Sequence, residues 1–280
     1  MGKAASLLAE IEALLSEADA DGLTGHARRQ LIGHVDRMRE RLEELTRKVD
    51  PNELPDAFFD PAEPSLIGNF VALALMAQDR KPLGTLKRFY GAGVYAIYYR
   101  GDAELYAPIA GTETPIYVGK ADPQGNAKTP IDQGTRLSSR LDEHRRNIEK
   151  VAGIEIGDFD FRALAVQSGY QAAAENHLIR MFWPIWNNET NILFGIGKHG
   201  DSSETRANNK SPFDIVHPGR KWAERNPESQ TAEEIGAKVR RHFETARIFQ
   251  DGNAVLQAFA DSIRREDRIK PSDAVPDADE

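Results

Sequence analysis

The 280-residue chain has no cysteine, which removes disulfides, zinc knuckles and thiol nucleophiles from consideration and leaves the redox compartment open. It also lacks a long apolar run. The longest, Phe70 to Ala77, is too short to span a bilayer. The N-terminus shows no charged start followed by an apolar stretch, so no export signal is read. The expectation is a protein of the bacterial cytoplasm with no membrane partner. An excess of positive charge is missing too: the formal net charge is −8, unlike the basic footprint of a phosphate binder. There is no His-Glu-x-x-His and no phosphate-loop glycine pattern. Length is not lacking. With 40% hydrophobic residues the chain can bury a sizeable core, as one domain with additions or as two.

The negative charge is unevenly spread. From Arg80 to Lys221 there are 19 Lys+Arg against 16 Asp+Glu, a surplus of +3, so the flanks carry −11. The middle of the chain therefore permits nucleic-acid binding without demonstrating it.

That middle is built on two tyrosine-bearing strands. Gly93-Val94-Tyr95-Ala96-Ile97-Tyr98-Tyr99 follows a glycine with β-branched and aromatic residues and meets no breaker before Gly101. Pro115-Ile116-Tyr117-Val118-Gly119-Lys120 reads as a second strand. The polar connection Arg100 to Thr114 makes the pair a hairpin with a long loop. Arg136, Arg140 and His144 then recur every fourth residue and share one helix face. An alternating strand, Phe159 to Val166, follows. Next comes a helix from near Tyr170 that carries Glu175 and stops before Pro184. Tyr98, Tyr99 and Tyr106 read as packing residues.

The flanks are read more coarsely. Leu7, Leu8, Ile11, Leu14 and Leu15 mark one N-terminal helix, and Leu31, Val35, Met38, Leu42 and Leu45 a longer one with a heptad pattern of about two repeats. Two antiparallel helices packed on the body are expected, the sharper alternative being a dimer arm or an arm around DNA. Asp50 to Pro64, with four prolines, reads as a linker, and Ser65 to Gln78 as a buried helix. Ile192 to Trp222 has little periodicity. It is either a surface loop or a DNA reader, carrying Lys198, His199, Arg206, Asn208, Asn209, Lys210, His217, Arg220 and Lys221. Helices follow over Thr231 to Phe249 and Ala254 to Arg265, then an acidic tail expected to be disordered. The expected division is a helical extension over 1–90, a core over 91–190, a DNA-contacting loop and helices over 191–265, and a tail over 266–280.

The ordered set of tyrosine strand, tyrosine strand, Arg/His helix, strand, Glu helix and asparagine resembles the GIY-YIG nuclease superfamily. The resemblance covers Gly93 to Asn187, 95 of the 280 residues. Gly93-Val94-Tyr95 stands for the first tripeptide and Tyr117-Val118-Gly119 for the second. Either alone is weak; the whole order is specific. Within the superfamily the chain is most similar to the type II restriction endonucleases that cut the palindrome CCGCGG. The resemblance implies an α+β core, a small antiparallel sheet flanked by helices. It implies a catalytic set of Tyr95, Tyr117, Arg140, His144, Glu175 and Asn187, with Asn188 able to take the asparagine role. It further implies Mg2+, one ion per site anchored at Glu175, which is the only carboxylate in the set.

In this reading Tyr95 is the base and Tyr117 its partner, with the roles exchangeable. Lys120, Arg140 or the metal would favour the phenolate, since a free phenol near pKa 10 is a poor base. Arg140 would grip phosphate, with Arg136 its competitor one turn earlier. Arg136, Lys198, His199, Arg206, Lys210, Arg220 and Lys221 are the candidate DNA contacts. Double-stranded DNA, a second copy of the chain and a cognate cytosine methyltransferase are the expected partners. The runners-up are a repair or mobile-element nuclease, and an inactive DNA-binding regulator on the same scaffold.

Overall fold

The computed structural model describes residues 3–16, 24–49, 64–123, 125, 127–167, 169–197 and 209–266. The chain falls into two units, 1–56 and 57–280. The proline-rich stretch before Pro64 and the tail beyond Glu266 lie outside the described residues.

In the first unit, α1 spans Lys3–Ser16 and α2 Gly25–Val49. Leu31, Val35, Met38 and Leu42 of α2 remain 36–50% exposed, so this apolar stripe is not buried. Exposed i,i+3 and i,i+4 pairs such as Arg39–Asp36 and Lys48–Glu44 lace the rest of the helix, each contributing only a few tenths of a kcal/mol.

The second unit is ordered α3 (Pro64–Met76), β1 (Lys81–Pro82), β2 (Gly93–Tyr99), β3 (Tyr117–Ala121), α4 (Arg136–Ile148), β4 (Phe159–Ala165), α5 (Gln171–Phe182), α6 (Pro212–Val216), α7 (Ala232–Thr245) and α8 (Gly252–Glu266). Its four strands form one antiparallel sheet in the order β1-β4-β2-β3, so the α+β expectation holds. β2 and β3 are the expected hairpin, and the long connection between them folds into a 3-10 helix over Glu104–Ile109.

β2 lies between two partners and all seven of its residues are buried. Period-2 alternation sorts its side chains. Tyr95, Ile97 and Tyr99 join Leu137, Leu141 and Ile148 of α4 in one hydrophobic cluster. Val94, Ala96 and Tyr98 join residues of α3, α5 and α8 in another. Fully burying each large side chain contributes about 1.5–3 kcal/mol, so both faces of β2 anchor the core. Tyr98, Tyr99 and Tyr106 are all within 1% of full burial, as expected of packing residues. α5 ends at Phe182; Trp183 turns left-handed (φ 47°) and Pro184 blocks continuation.

Candidate active site

Tyr95 projects from the central strand toward α4, where its Oη lies 2.8 Å from Nε2 of His144. Both side chains are buried, at 0% and 1% exposure. Tyr117, on the neighbouring strand, pairs in register with Ile97 and sits diagonally from Tyr95. Its ring centroid is 6.1 Å from that of Tyr95 and 4.7 Å from that of His144. The two phenols and the imidazole therefore form one aromatic cluster on the α4 face of the sheet.

The glycines of the two tripeptides have separate physical reasons. A Cβ on Gly93 would fall 2.1 Å from the carbonyl oxygen of Leu164, so only glycine lets β2 approach β4 here. A Cβ on Gly119 would fall 2.6 Å from Tyr95 Oη, so the bare backbone of β3 is the seat of the phenol.

Beside this cluster opens a cleft of about 420 Å³, lined by Tyr117, Lys120, Asp122, Arg136, Arg140 and Glu175 among others. Arg140 and His144 stand one turn apart on α4 and Glu175 enters from α5, so three elements converge on one space. Arg140 is bonded to Glu143 through Nη1. Lys120 Nζ lies 2.5 Å from Asp122, whose other carboxylate oxygen accepts a 3.1 Å bond from Gln171. Arg136 also lines the cleft.

Burial dominates the electrostatics of the site. Burial chiefly, aided by Glu189 and Asp122, pushes the Glu175 carboxyl up to about 7, against the pull of Lys120. Burial and then Tyr117 raise the Tyr95 phenol well above its ordinary value, with Arg140 opposing them. Burial likewise raises Tyr117, and Arg140 again opposes.

Asn187 is buried and does not touch the tyrosines' oxygens; its amide grips Val118 instead. Oδ1 accepts from the Val118 N–H and Nδ2 donates to the Val118 carbonyl, both at 2.9 Å. β3 is an edge strand, and this amide satisfies its outer backbone in place of a further strand. Asn188, the alternative, is exposed and opens a 3-10 turn.

The expected DNA contacts fare unevenly. Arg220 is enclosed rather than presented. Its Nε meets Asp214 at 2.6 Å, and its Nη atoms donate to the Ile196 and Gly195 carbonyls at 2.9 and 2.8 Å. Both side chains of that ion pair are at most 2% exposed, so Arg220 pins the segment from inside. His217 is also internal. Its Nδ1 is 3.1 Å from the Ala152 carbonyl and its Nε2 2.6 Å from Tyr106 Oη, which also accepts from Trp186 Nε1. Lys210, at 18% exposure, is paired with Glu228. Lys221 is exposed, while Lys198, His199, Arg206 and Asn208 lie outside the described residues.

Four residues near the site escaped the sequence reading. Asp122 and Glu143 hold Lys120 and Arg140, Glu189 adds negative potential at Glu175, and Gln133 supports the start of β2 by accepting from Ala92 N at 2.8 Å. Glu143, three residues after Arg140 on a helix, carried the one usable signal.

A family model for the Eco29kI GIY-YIG domain matches residues 87–243, more than half of the chain. The chain belongs to this family. It is a GIY-YIG nuclease of the restriction type, with DNA as its substrate. No curated protein matches it. The matched span extends past Asn187 through α6 and most of α7, so the family unit includes the segment that Arg220 and His217 hold together.

Proposed function

We propose that this family member is a type II restriction endonuclease making metal-dependent double-strand cuts in palindromic, GC-rich DNA of the CCGCGG kind. The observation that carries the reading is the convergence of Tyr117, Arg140 and Glu175, from one strand and two helices, on one cleft, with the buried Tyr95–His144 pair packed directly behind Tyr117. An inactive regulator would have no use for a buried phenol–imidazole pair beside an arginine and a carboxyl raised to about 7.

The chain's residues divide the work. Tyr95 is the base for the attacking water. Its hydroxyl lies 2.8 Å from His144 Nε2, and in the tautomer with that nitrogen unprotonated a proton passed to it leaves a phenolate paired with an imidazolium, the phenolate then taking the proton of the water. Tyr117, which lines the cleft, orients the water or the phosphate. Arg140 binds phosphate oxygens as charge grows on them, exchanging its bond to Glu143 for the substrate. Asn187 positions β3, and with it Tyr117 and the glycine seat of Tyr95.

The donor set fits Mg2+. Glu175 faces the cleft with Glu189 and Asp122 as further negative neighbours, and among the described residues no group of three or more ligating side chains forms a closed cage. Mg2+ favours such a site, keeping most of its waters and taking one or two carboxylates plus phosphate. When bound, the cation supplies positive charge at the scissile phosphate and the departing oxygen.

A palindrome offers two equivalent phosphates, and one site of this kind addresses one of them, so a homodimer matches the substrate. The exposed stripe Leu31, Val35, Met38 and Leu42 is the surface favoured for holding two copies. A cognate cytosine methyltransferase would protect the host DNA in the bacterial cytoplasm. The test is digestion of plasmids of known sequence with Mg2+, followed by mapping of the ends. Fixed double-strand cuts at one palindrome support the proposal; nicks at dispersed positions, or no cleavage, refute it.

A further inference from the structure

The active-site cleft does not end at α4. It shares Ser139 and Glu143 with a second concavity of about 530 Å³ along the helix. That one shares Leu86 and Arg88 with a third, of about 620 Å³, bounded by Lys81, Lys87, Tyr90 and the outer edge of β4. The three concavities adjoin at these shared walls, and their succession from Glu175 past the flank of α4 to the segment that precedes β2 is here called the trough.

We propose that this trough carries the phosphate backbone of DNA flanking the cut, with Lys87 and Arg88 as its phosphate contacts. The assignment rests on the nuclease reading above and adds the path of the strand away from the scissile bond. Three observations support it. First, the cations are available. Lys87 and Arg88 are exposed and make no ion pair among the described residues, whereas on the adjoining helix Arg140 is paired with Glu143, Arg145 with Asp142 and Glu149, and Arg146 with Asp142. Those same pairs neutralise Asp142 and Glu143, the two acids that line the middle of the trough.

Second, the segment is fixed to the catalytic helix. Ser138 Oγ accepts from Phe89 N at 3.2 Å and donates to Phe89 O at 2.8 Å. Leu137 N donates to Gly91 O at 3.0 Å and Gly91 N to Gly134 O at 2.7 Å. Lys87 and Arg88 therefore ride on the body that carries Arg140 and His144, and a strand seated on them is in register with the cut. Third, Tyr90, 58% exposed, offers a ring face to a sugar or base at the far end.

A competing occupant would be a peptide strand added to β4, since β1 pairs only with Asp160 and Phe161 and leaves the β4 edge beyond them open to the trough. The unpaired cations and the continuity with the cleft favour DNA.

The test compares the full chain with a Lys87→Ala/Arg88→Ala double variant, using sheared double-stranded DNA for binding and plasmid for cleavage. Each phosphate contact contributes about 0.9 to the slope of log affinity against log salt, so the variant should lose about 2 units of slope. Its KM on plasmid should rise, with kcat at saturation and thermal melting unchanged. Lys87→Arg/Arg88→Lys should keep the slope. A double variant with an unchanged slope, in a preparation whose parent cleaves normally, would overturn the trough alone and leave it to a peptide. A fall in kcat without a change of slope would overturn it too. A parent protein that neither binds nor cuts DNA would overturn both readings.

Discussion

Gly119→Ala is the smallest change that reaches the reacting groups without deleting any of them. The new Cβ would lie 2.6 Å from Tyr95 Oη, 2.7 Å from its Cζ and 2.9 Å from Tyr117 Cε1. Ordinary contact begins near 3.4 Å, so the Tyr95 ring has to withdraw by about 0.8 Å. It is fully buried, and its hydroxyl is already engaged with His144. Overpacking of this kind costs about 1–3 kcal/mol, which lowers melting by about 2–4 °C per kcal/mol in a domain of this size. A misplacement approaching 1 Å among reacting groups costs about 100-fold in rate. We therefore expect a folded protein with modestly lower melting and a single-turnover cleavage rate down by about two orders of magnitude. Adding Tyr95→Phe to Gly119→Ala removes the clashing oxygen, and should recover part of the melting loss while leaving activity absent. A Gly119→Ala protein that melts and cuts like its parent would refute the claim that β3 seats the phenol.

Glu175, with its carboxyl raised to about 7, stays protonated in the folded chain over a range in which the unfolded chain, near 4.5, has ionised. The native state then holds the extra proton, so stability falls as pH rises from about 4.5 through about 7. In metal-free buffer Glu175→Gln should melt higher than its parent at pH 8 and equally at pH 4; equal melting at pH 8 would show that the carboxyl is not raised. Arg140→Ala should lose about two to three orders of magnitude in cleavage rate and Arg136→Ala much less, as measured in single turnover; the reverse ranking would assign the phosphate to Arg136. Asn187→Ala leaves the Val118 N–H and carbonyl without their amide partner, at about 1–3 kcal/mol for each orphaned group, and should lower both melting and activity, with Asn187→Asp in between; unchanged melting would refute the clamp.

The core was legible because its signals were local and of one kind. The seven-residue run from Gly93 reads as a strand, and the four-residue spacing of Arg136, Arg140 and His144 as one helix face; that the strand is buried on both faces emerges only from the structure. The glycines of the two tripeptides were read only as parts of the motif, and the structure gives each a close approach as its reason. What approaches them, a Leu164 carbonyl and the Tyr95 hydroxyl, depends on strand order and could not be read. The segment after Asn187 was misread for a related reason. Arg220 and His217 look solvated among Gly, Asn and Ser, yet their partners are Asp214, two carbonyls, Tyr106 and Ala152, one of them 111 residues away in sequence. Composition reports what a side chain can do in water. It is silent on whether the fold leaves it there.

The sheet's edge explains why the site needs parts from both faces. Tyr95, Tyr117 and His144 gather on the α4 face, while α5 packs mainly with α3 on the other and still delivers Glu175 to the same cleft. That is possible only at an edge strand, around which a carboxylate can reach without crossing a layer of side chains. β3 is that strand, five residues long and paired on one side by β2. A short strand paired once is ordinarily the least rigid part of a sheet, yet here it must hold Tyr117 and the seat of Tyr95 to within a fraction of an ångström. The Asn187 amide resolves the conflict. It supplies the backbone partners a further strand would have given while occupying one residue's width, so β3 is fixed and the way around it for Glu175 stays open. The asparagine therefore belongs to the site through the strand it holds and not through any contact with the reacting groups.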